Sequence, residues 1–194
     1  MSRYSPKVAE FAAAAKHAGI DPDADGFGAD ADLSCGSVVR FSVRFDDDTG
    51  GISGVRFNSN GCSWMVASAE AFCSRLSGQN VESLGGLGGD HLTKLLTAEL
   101  GDIPDDRRHC AATCVAAVKN AFADRRERRA ASTPAESTLI CSCFGVSEAE
   151  IRGVIERIDA DSVADVTAAC NAGGGCGSCQ MLIQDLIDTV IEHY

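Results

Sequence analysis

The chain has 194 residues, of which 45% are apolar and 23% charged, a composition typical of a folded globular protein. Its formal net charge of −11 argues against nucleic acid as a partner, because phosphate binding relies on clustered Lys and Arg. No apolar run approaches the roughly 18 residues of a membrane span, and the N-terminus lacks a signal-peptide pattern. We therefore expect a cytoplasmic protein with no membrane partner.

The charge and the cysteines indicate two modules with metal or redox chemistry. Residues 1–130 carry a net charge of −3, whereas residues 131–194 carry −8. We expect one domain over 1–130, a small and polar linker over 131–138, and a second domain over 139–194. Ten cysteines without an export signal favour metal ligation or redox chemistry over disulfides.

Hydrophobic spacing predicts a mixture of helices and strands in the first module. A helix from Tyr4 to about Gly19 places His17 on an exposed surface. The next segment, Asp21–Asp32, reads as a loop or a poor edge strand. The remaining predicted elements are strands over Val39–Phe45 and Ile52–Phe57, helices over Ser63–Leu76, Asp90–Leu100 and Asp105–Ala130, and a connector at Gly85–Gly89.

The second module is predicted to be helical. Helices are expected from Ser147 to Ile158, over Ser162–Cys170, and over Ser178–Glu192. In the last helix the apolar positions are expected to face inward: Met181, Leu182, Leu186, Ile187, Val190 and Ile191. So short a module has a small core, and a metal site would add stability.

Four cysteines in the second module have the spacing of metal ligands. Cys141 and Cys143 form a C-x-C pair, and Cys176 and Cys179 form a C-x-x-C pair. Residues two apart in a strand, or three apart at the start of a helix, share a face and can bind one centre. Four thiolates suit either zinc or a 2Fe–2S cluster, and the glycines of 173–177 favour the cluster by aiming N–H groups at sulfur.

Three cysteines of the first module lie at the ends of predicted elements. Cys35 precedes a strand, Cys62 opens a helix, and Cys110 lies early in the long helix beside His109. A helix N-terminus favours the thiolate, which is both nucleophile and metal ligand. Three thiols with a histidine form a more pliable site than four thiolates, which suits a cluster that is built and passed on.

Both modules resemble known iron–sulfur families. Residues 139–147 and 172–179, with the four cysteines, resemble the bacterioferritin-associated-ferredoxin (BFD) type of 2Fe–2S domain found in the middle of NifU proteins. Cys35-Gly36, Gly61-Cys62-Ser63 and His109-Cys110 resemble the U-type scaffold of IscU and the first domain of NifU. The resemblance implies an α+β fold, with a small antiparallel sheet and packed helices followed by a small all-α helix-turn-helix domain.

The resemblance also implies a function, which we state as an expectation. The chain would be a non-enzymatic scaffold that builds a transient 2Fe–2S cluster, or holds Fe or Zn, on Cys35, Cys62 and Cys110 with His109. Its C-terminal cysteines would hold a permanent redox 2Fe–2S cluster. The implied partners are a cysteine desulfurase, apo iron–sulfur acceptor proteins and an electron donor, with a homodimer as the expected assembly.

Some features depart from the resembled pattern. Ser37 stands where the family usually has an aspartate, which affects iron entry or cluster lability. The chaperone-binding motif is degenerate at Ile103–Arg107, and we expect no third domain after Tyr194. Two alternatives stay open: an electron-transfer protein whose first domain is a docking module, and a zinc-stabilised interaction protein. The remaining cysteines are expected to pack in the core: Cys73, Cys114 and Cys170.

Overall fold

A computed structural model describes residues 4–46, 49, 51–80, 89–132 and 137–192 of the chain. Its contacts define two compact units. The first takes described residues within 1–45, 52–79 and 87–124, and the second takes those within 46–51, 80–86 and 125–194. None of the helices in the described part of the chain combines the length and apolar character that crossing a bilayer requires.

The first unit is built on a three-stranded antiparallel sheet in the order β1-β2-β3. The strands are β1 (Gly26–Asp32), β2 (Ser37–Phe45) and β3 (Ile52–Ser59). β2 pairs with both neighbours, from Gly26 opposite Val43 on one side to Val39 opposite Ser59 on the other. Part of the segment Asp21–Asp32 therefore forms the predicted edge strand.

The first four helices of the described residues are, in sequence order, α1 (Pro6–Ala14), α2 (Ser63–Leu76), α3 (Gly89–Leu100) and α4 (Arg108–Ser132), of which α4 belongs to the first unit as far as Asp124. A short 3-10 turn, Asp105–Arg107, precedes α4. α2 packs against β3 and α1. The rings of Phe41 and Phe72 meet edge-on at 6.4 Å, so the sheet and α2 share one apolar core.

α1 is shorter than the sequence pattern predicts. It ends at Ala14, because Ala15 has a left-handed φ of 33°. The following residues pair with β3 instead: the Phe57 N–H donates to the His17 carbonyl at 3.1 Å, and the Gly19 N–H donates to the Phe57 carbonyl at 2.7 Å.

His17 is correspondingly half-buried rather than exposed. Its Nδ1 lies 2.8 Å from Oε1 of Glu70, a carboxylate of α2 that is only 2% exposed as a residue. The prediction of an exposed His17 was wrong, because the residue lies outside the helix and satisfies a buried acid.

α4 packs against the sheet through β1. A Cβ on Gly28 would lie 2.1 Å from the backbone nitrogen of Ala121, so the helix backbone approaches the strand directly. The Phe27 N–H donates to the Asp124 carboxylate at 2.8 Å, and Phe45 meets Phe122 edge-on at 5.7 Å. These contacts hold the middle of α4 against the sheet.

The described residues of the second unit after α4 form a short two-stranded ladder and three helices. The ladder joins β4 (Leu139–Cys141) to β5 (Val146–Ser147), and the helices are α5 (Glu148–Ile158), α6 (Val163–Cys170) and α7 (Gln180–Glu192). Ser147 and Ser162 cap α5 and α6 by accepting N–H groups from Glu150 and Asp165. The helical domain is as expected, with the ladder as an addition at its start.

The inward face of α7 was only partly predicted. Leu186 and Ile187 are buried together with Ile183, whereas Val190 is half-buried. Three residues expected to face inward are exposed instead: Met181 (81%), Leu182 (49%) and Ile191 (53%). A helix of 3.6 residues per turn can bury a stripe of 183, 186 and 187 against its neighbours, and positions 181 and 182 then fall outside that stripe.

The predicted linker 131–138 is partly structured. α4 extends through Ser132, since no helix-breaking residue occurs before Pro134, whose ring disfavours helix at the preceding residue. Residues 133–136 lie outside the described residues, as do 85–88 of the predicted connector. The Glu148 N–H then donates to the Thr138 carbonyl at 2.8 Å. The compact units divide after Asp124. The predicted domain boundary at residue 130 stays a prediction.

Candidate metal centres

The predicted ligands of the first module come from three separate elements. Cys35 lies on the exposed turn between β1 and β2, and Cys62 is the N-cap residue of α2. His109 and Cys110 are in the first turn of α4, where Cys110 is buried. Each position lies where a strand or helix begins or ends, as the sequence pattern predicts.

The structure brings these side chains together. The Sγ atoms of Cys62 and Cys110 are 3.7 Å apart, and Nε2 of His109 is 3.3 Å from Sγ of Cys110. Metal bonds of about 2.0 to 2.3 Å place the ligands of a tetrahedral ion about 3.3 to 3.8 Å apart. The donor chemistry and these two separations therefore fit a metal ion or an iron–sulfur cluster.

A carboxylate that the sequence pattern does not point to lies in the same cluster. It belongs to Asp32, the last residue of β1. An oxygen of Asp32, Sγ of Cys35 and a ring nitrogen of His109 all lie within 4.8 Å of one another. Hydrogen bonds from Ser34, mainly from its hydroxyl, hold the pKa of Asp32 below its ordinary value. The only signal in the sequence was an acidic residue three positions before Cys35. Ser37 also lies beside this cluster, with its Oγ 3.2 Å from Sγ of Cys35.

The pKa values of the half-buried Cys62 and the buried Cys110 shift in opposite directions. Burial acts to raise the pKa of Cys62, but the backbone N–H groups of Met65 and Trp64 outweigh it, and the pKa is lowered overall. Burial and the neighbouring Cys62 raise the pKa of Cys110 to about 12. Without metal, Cys62 at the start of α2 is thus the better nucleophile, and Cys110 keeps its proton.

The four cysteines of the second module also converge. Cys141 ends β4 and is buried, Cys143 follows in the β4–β5 turn, and Cys176 and Cys179 lie just before α7. The Sγ atoms of Cys143 and Cys176 are 3.4 Å apart, and the thiols of Cys141 and Cys179 share a hydrogen bond. A set of four converging thiols fits a four-thiolate centre.

The glycine-rich loop shapes this second site. A Cβ on Gly175 would lie 2.7 Å from Cβ and 2.9 Å from Sγ of Cys143, so only glycine lets the backbone pass so close to the thiol. The Ser178 hydroxyl, 3.0 Å from Sγ of Cys176, is the main reason that the pKa of Cys176 is lowered to about 7. Burial acts in the opposite direction on Cys179 and raises its pKa to about 11.

The remaining cysteines pack in the interior, as predicted. Cys73 and Cys114 have no exposed surface, and Cys170 is 4% exposed. The Cys114 thiol lies 3.7 Å from the Met65 carbonyl, and the Cys170 thiol donates to the Val166 carbonyl at 3.2 Å. Burial raises the pKa of each of these thiols, which keeps them protonated and unreactive.

Comparison with protein families agrees with this arrangement of two sites. The family described as the NifU-like N terminal domain matches residues 3–132. The chain belongs to the NifU-like family. A second family, the BFD-like [2Fe-2S] binding domain, matches residues 139–189, which contain Cys141, Cys143, Cys176 and Cys179.

Individual relatives match this NifU-like chain over different lengths. The nitrogen fixation protein NifU of Trichormus azollae is 30% identical over 163 residues, covering 83% of this chain and 53% of the relative. The mitochondrial iron sulfur cluster assembly protein 1 of Debaryomyces hansenii is 29% identical over 101 residues, covering 52% of this chain and 54% of that protein. The chain thus spans about half the length of these curated relatives.

One solved structure supports the fold of the first unit. The N-terminal part of a nitrogen-fixing NifU-like protein from Brucella abortus superposes with a TM-score of 0.53 at 15% sequence identity. The match covers 64% of this chain and 94% of that structure. The α+β fold expected for the first module is therefore confirmed.

Proposed function

We propose that this chain is a scaffold for iron–sulfur cluster assembly. A transient 2Fe–2S cluster is built on Cys35, Cys62 and Cys110 with His109, and a resident cluster is held by the four C-terminal cysteines. The observation that carries the proposal is the contrast between the two sites. One joins an exposed cysteine to a histidine and a carboxylate, and the other gathers four thiols around a glycine loop.

The unequal ligands of the first site support transfer rather than storage of its cluster. Cys35 lies on an exposed turn, where a partner protein can reach it, whereas Cys110 is buried and anchors the opposite side. Oxygen and nitrogen donors are harder ligands than thiolates, so the site mixes ligand types that favour different metals. Such a site can take up iron and release a finished cluster.

Sulfur would arrive as a persulfide from a cysteine desulfurase. The Cys62 thiolate attacks the outer sulfur, a new S–S bond forms on Cys62, and the desulfurase cysteine leaves as a thiolate. Each transferred sulfur then takes up two electrons to become sulfide. Oxidation of ferrous to ferric iron supplies one electron per iron, and an external electron donor supplies the remainder.

The four C-terminal cysteines would hold the resident group. Cys143 and Cys176 already lie within ligand distance of each other, and the pKa of Cys176 favours its thiolate near neutral pH. A 2Fe–2S cluster bound there supplies one-electron redox chemistry. The chain's own contribution is to gather the thiols and to pass the backbone of Gly175 close to them.

The partners proposed for this scaffold are the iron–sulfur assembly machinery. They comprise a cysteine desulfurase, apo acceptor proteins and an electron donor, acting on a cytoplasmic homodimer that is not itself an enzyme. Support comes from the family match and from a relative named as an iron sulfur cluster assembly protein.

The test compares two cysteine variants in the full chain. Wild type purified without oxygen is expected to hold about two iron and two sulfide per chain, and to gain a second cluster on incubation with desulfurase, cysteine, ferrous iron and reductant. Cys62→Ala should keep the resident C-terminal cluster but fail to gain the second cluster on the N-terminal cysteines. Cys73→Ala, a buried cysteine of the same helix outside both sites, should keep both.

The same experiment distinguishes the scaffold from the alternative of an electron-transfer protein. The net charge of −8 on the C-terminal domain favours that alternative, because it steers the domain toward basic partners. If wild type is reduced by a reductase but gains no second cluster, electron transfer is the better assignment. Assembly of the second cluster in Cys62→Ala would refute the proposed site. Zinc without sulfide in fresh protein would refute the resident cluster.

A further inference from the structure

The carboxylate at the end of β1 has a place in the first site that the sequence pattern does not assign. An oxygen of Asp32, Sγ of Cys35 and a ring nitrogen of His109 all lie within 4.8 Å of one another. The three residues come from the end of a strand, the following turn and the start of α4. Three donor types that bind divalent metals therefore converge from different parts of the first unit.

The carboxylate has an oxygen available for a ligand. Oδ1 of Asp32 accepts the backbone N–H of Ser34 at 2.8 Å and that of Cys35 at 3.3 Å, which holds the turn. Within the described residues no hydrogen bond is found to Oδ2. One oxygen can thus keep the turn in place while the other binds a metal.

The separations require only a small contraction on metal binding. Ligands of a tetrahedral ion lie about 3.3 to 3.8 Å apart. The donor atoms of Asp32, Cys35 and His109, which lie within 4.8 Å of one another, therefore need to approach each other by about an ångström at most. Cys35 can move by this amount because it is exposed and is followed by Gly36, which has a φ of +70°. Cys110 lies outside this group of three, but its Sγ is at ligand distance from Nε2 of His109, at 3.3 Å.

We propose that Asp32 is an oxygen ligand of a divalent metal ion at this site, together with Cys35, His109 and Cys110. The mixed sulfur, nitrogen and oxygen donors suit a tetrahedral ion such as Zn²⁺, and ferrous iron as the assembly substrate. This inference deepens the proposed function, on which its role in assembly rests. A carboxylate gives the site one hard ligand at the exposed end, where metal enters.

The test measures Zn²⁺ affinity of the full chain with its resident cluster in place, by competition with a chromogenic chelator. Asp32→Asn keeps an oxygen that can accept the turn N–H groups but removes the anionic ligand. Loss of an outer-shell partner typically costs about 10- to 100-fold in metal affinity, so loss of a direct ligand should cost at least about 100-fold. Asp30→Asn, on the same face of β1 and outside the cluster, should bind as wild type does.

A double variant separates a ligand from a residue that merely holds the turn. The Ser37 hydroxyl lies 3.2 Å from Sγ of Cys35, so a carboxylate at position 37 can reach the same metal. We expect Asp32→Asn/Ser37→Asp to recover most of the lost affinity, which a turn-holding role would not explain.

Two results would overturn the inference: equal affinity of Asp32→Asn and wild type, or equal weakening by the Asp30 and Asp32 variants. Failure of wild type itself to bind Zn²⁺ would instead count against the proposed assembly site as a whole.

Discussion

Replacing Gly28 by alanine should destabilise the first unit and disturb the first metal site. A Cβ at this position would lie 2.1 Å from the nitrogen of Ala121 and 2.2 Å from the carbonyl oxygen of Ala117. Ordinary contacts begin at 3.4 Å, so β1 and α4 must separate by more than an ångström. The clashing atoms belong to the helix backbone and cannot rotate away.

The expected loss of stability follows from these distances. Overpacking of a core typically costs about 1 to 3 kcal/mol, and a clash with backbone atoms belongs at the upper end. Alanine recovers about 0.5 to 1 kcal/mol relative to glycine within a strand. The net loss in free energy of unfolding should therefore be about 2 kcal/mol or more.

The single tryptophan makes the measurement specific to the first unit. Trp64 lies on α2 and is 5% exposed, so its fluorescence during urea titration of the cluster-free chain reports unfolding of that unit. Gly54→Ala in β3 is the matched control, because a Cβ there meets nothing within 4 Å, and its stability should be unchanged or slightly raised. Equal midpoints for the two variants would refute the close approach of α4 to β1.

Three further results are expected. In the cluster-free chain, Ser178→Ala should shift the pH midpoint of Cys176 alkylation upward from about 7, because the hydroxyl that stabilises the thiolate is lost. An unchanged midpoint would contradict this. Gly175→Ala should reduce the iron and sulfide content of the C-terminal site, because the added methyl group would press on the Cys143 thiol. Gly153→Ala, which has open space around it, should keep the full cluster content. Equal iron and sulfide content in the two variants would argue against the tight loop. Glu70→Ala should lower the free energy of unfolding by about 1.5 to 3 kcal/mol, because the backbone N–H and the ring of the half-buried His17 both lose their carboxylate partner. A urea midpoint equal to wild type would contradict this.

Much of the local structure could be predicted from the sequence alone. The helix at Ser63–Leu76 has the predicted bounds, and the paired strands around Phe41 and Phe57 follow from alternation of apolar and polar residues. The spacing of Cys141 with Cys143, and of the later C-x-x-C pair, indicated a ligand set before any fold was known. These features depend on periodicity within one element, which neighbouring residues determine.

Other features depended on contacts between elements distant in the sequence. The role of Asp32 was not visible, because its carboxylate meets His109 only once α4 packs on β1 through Gly28. The exposed positions of α7, among them Met181, likewise follow from which stripe of the helix its neighbours cover. The sequence by itself determined the ligand types and their local spacing. The tertiary structure decided which donors share a site and which thiols keep their protons, because distance and burial are set by packing.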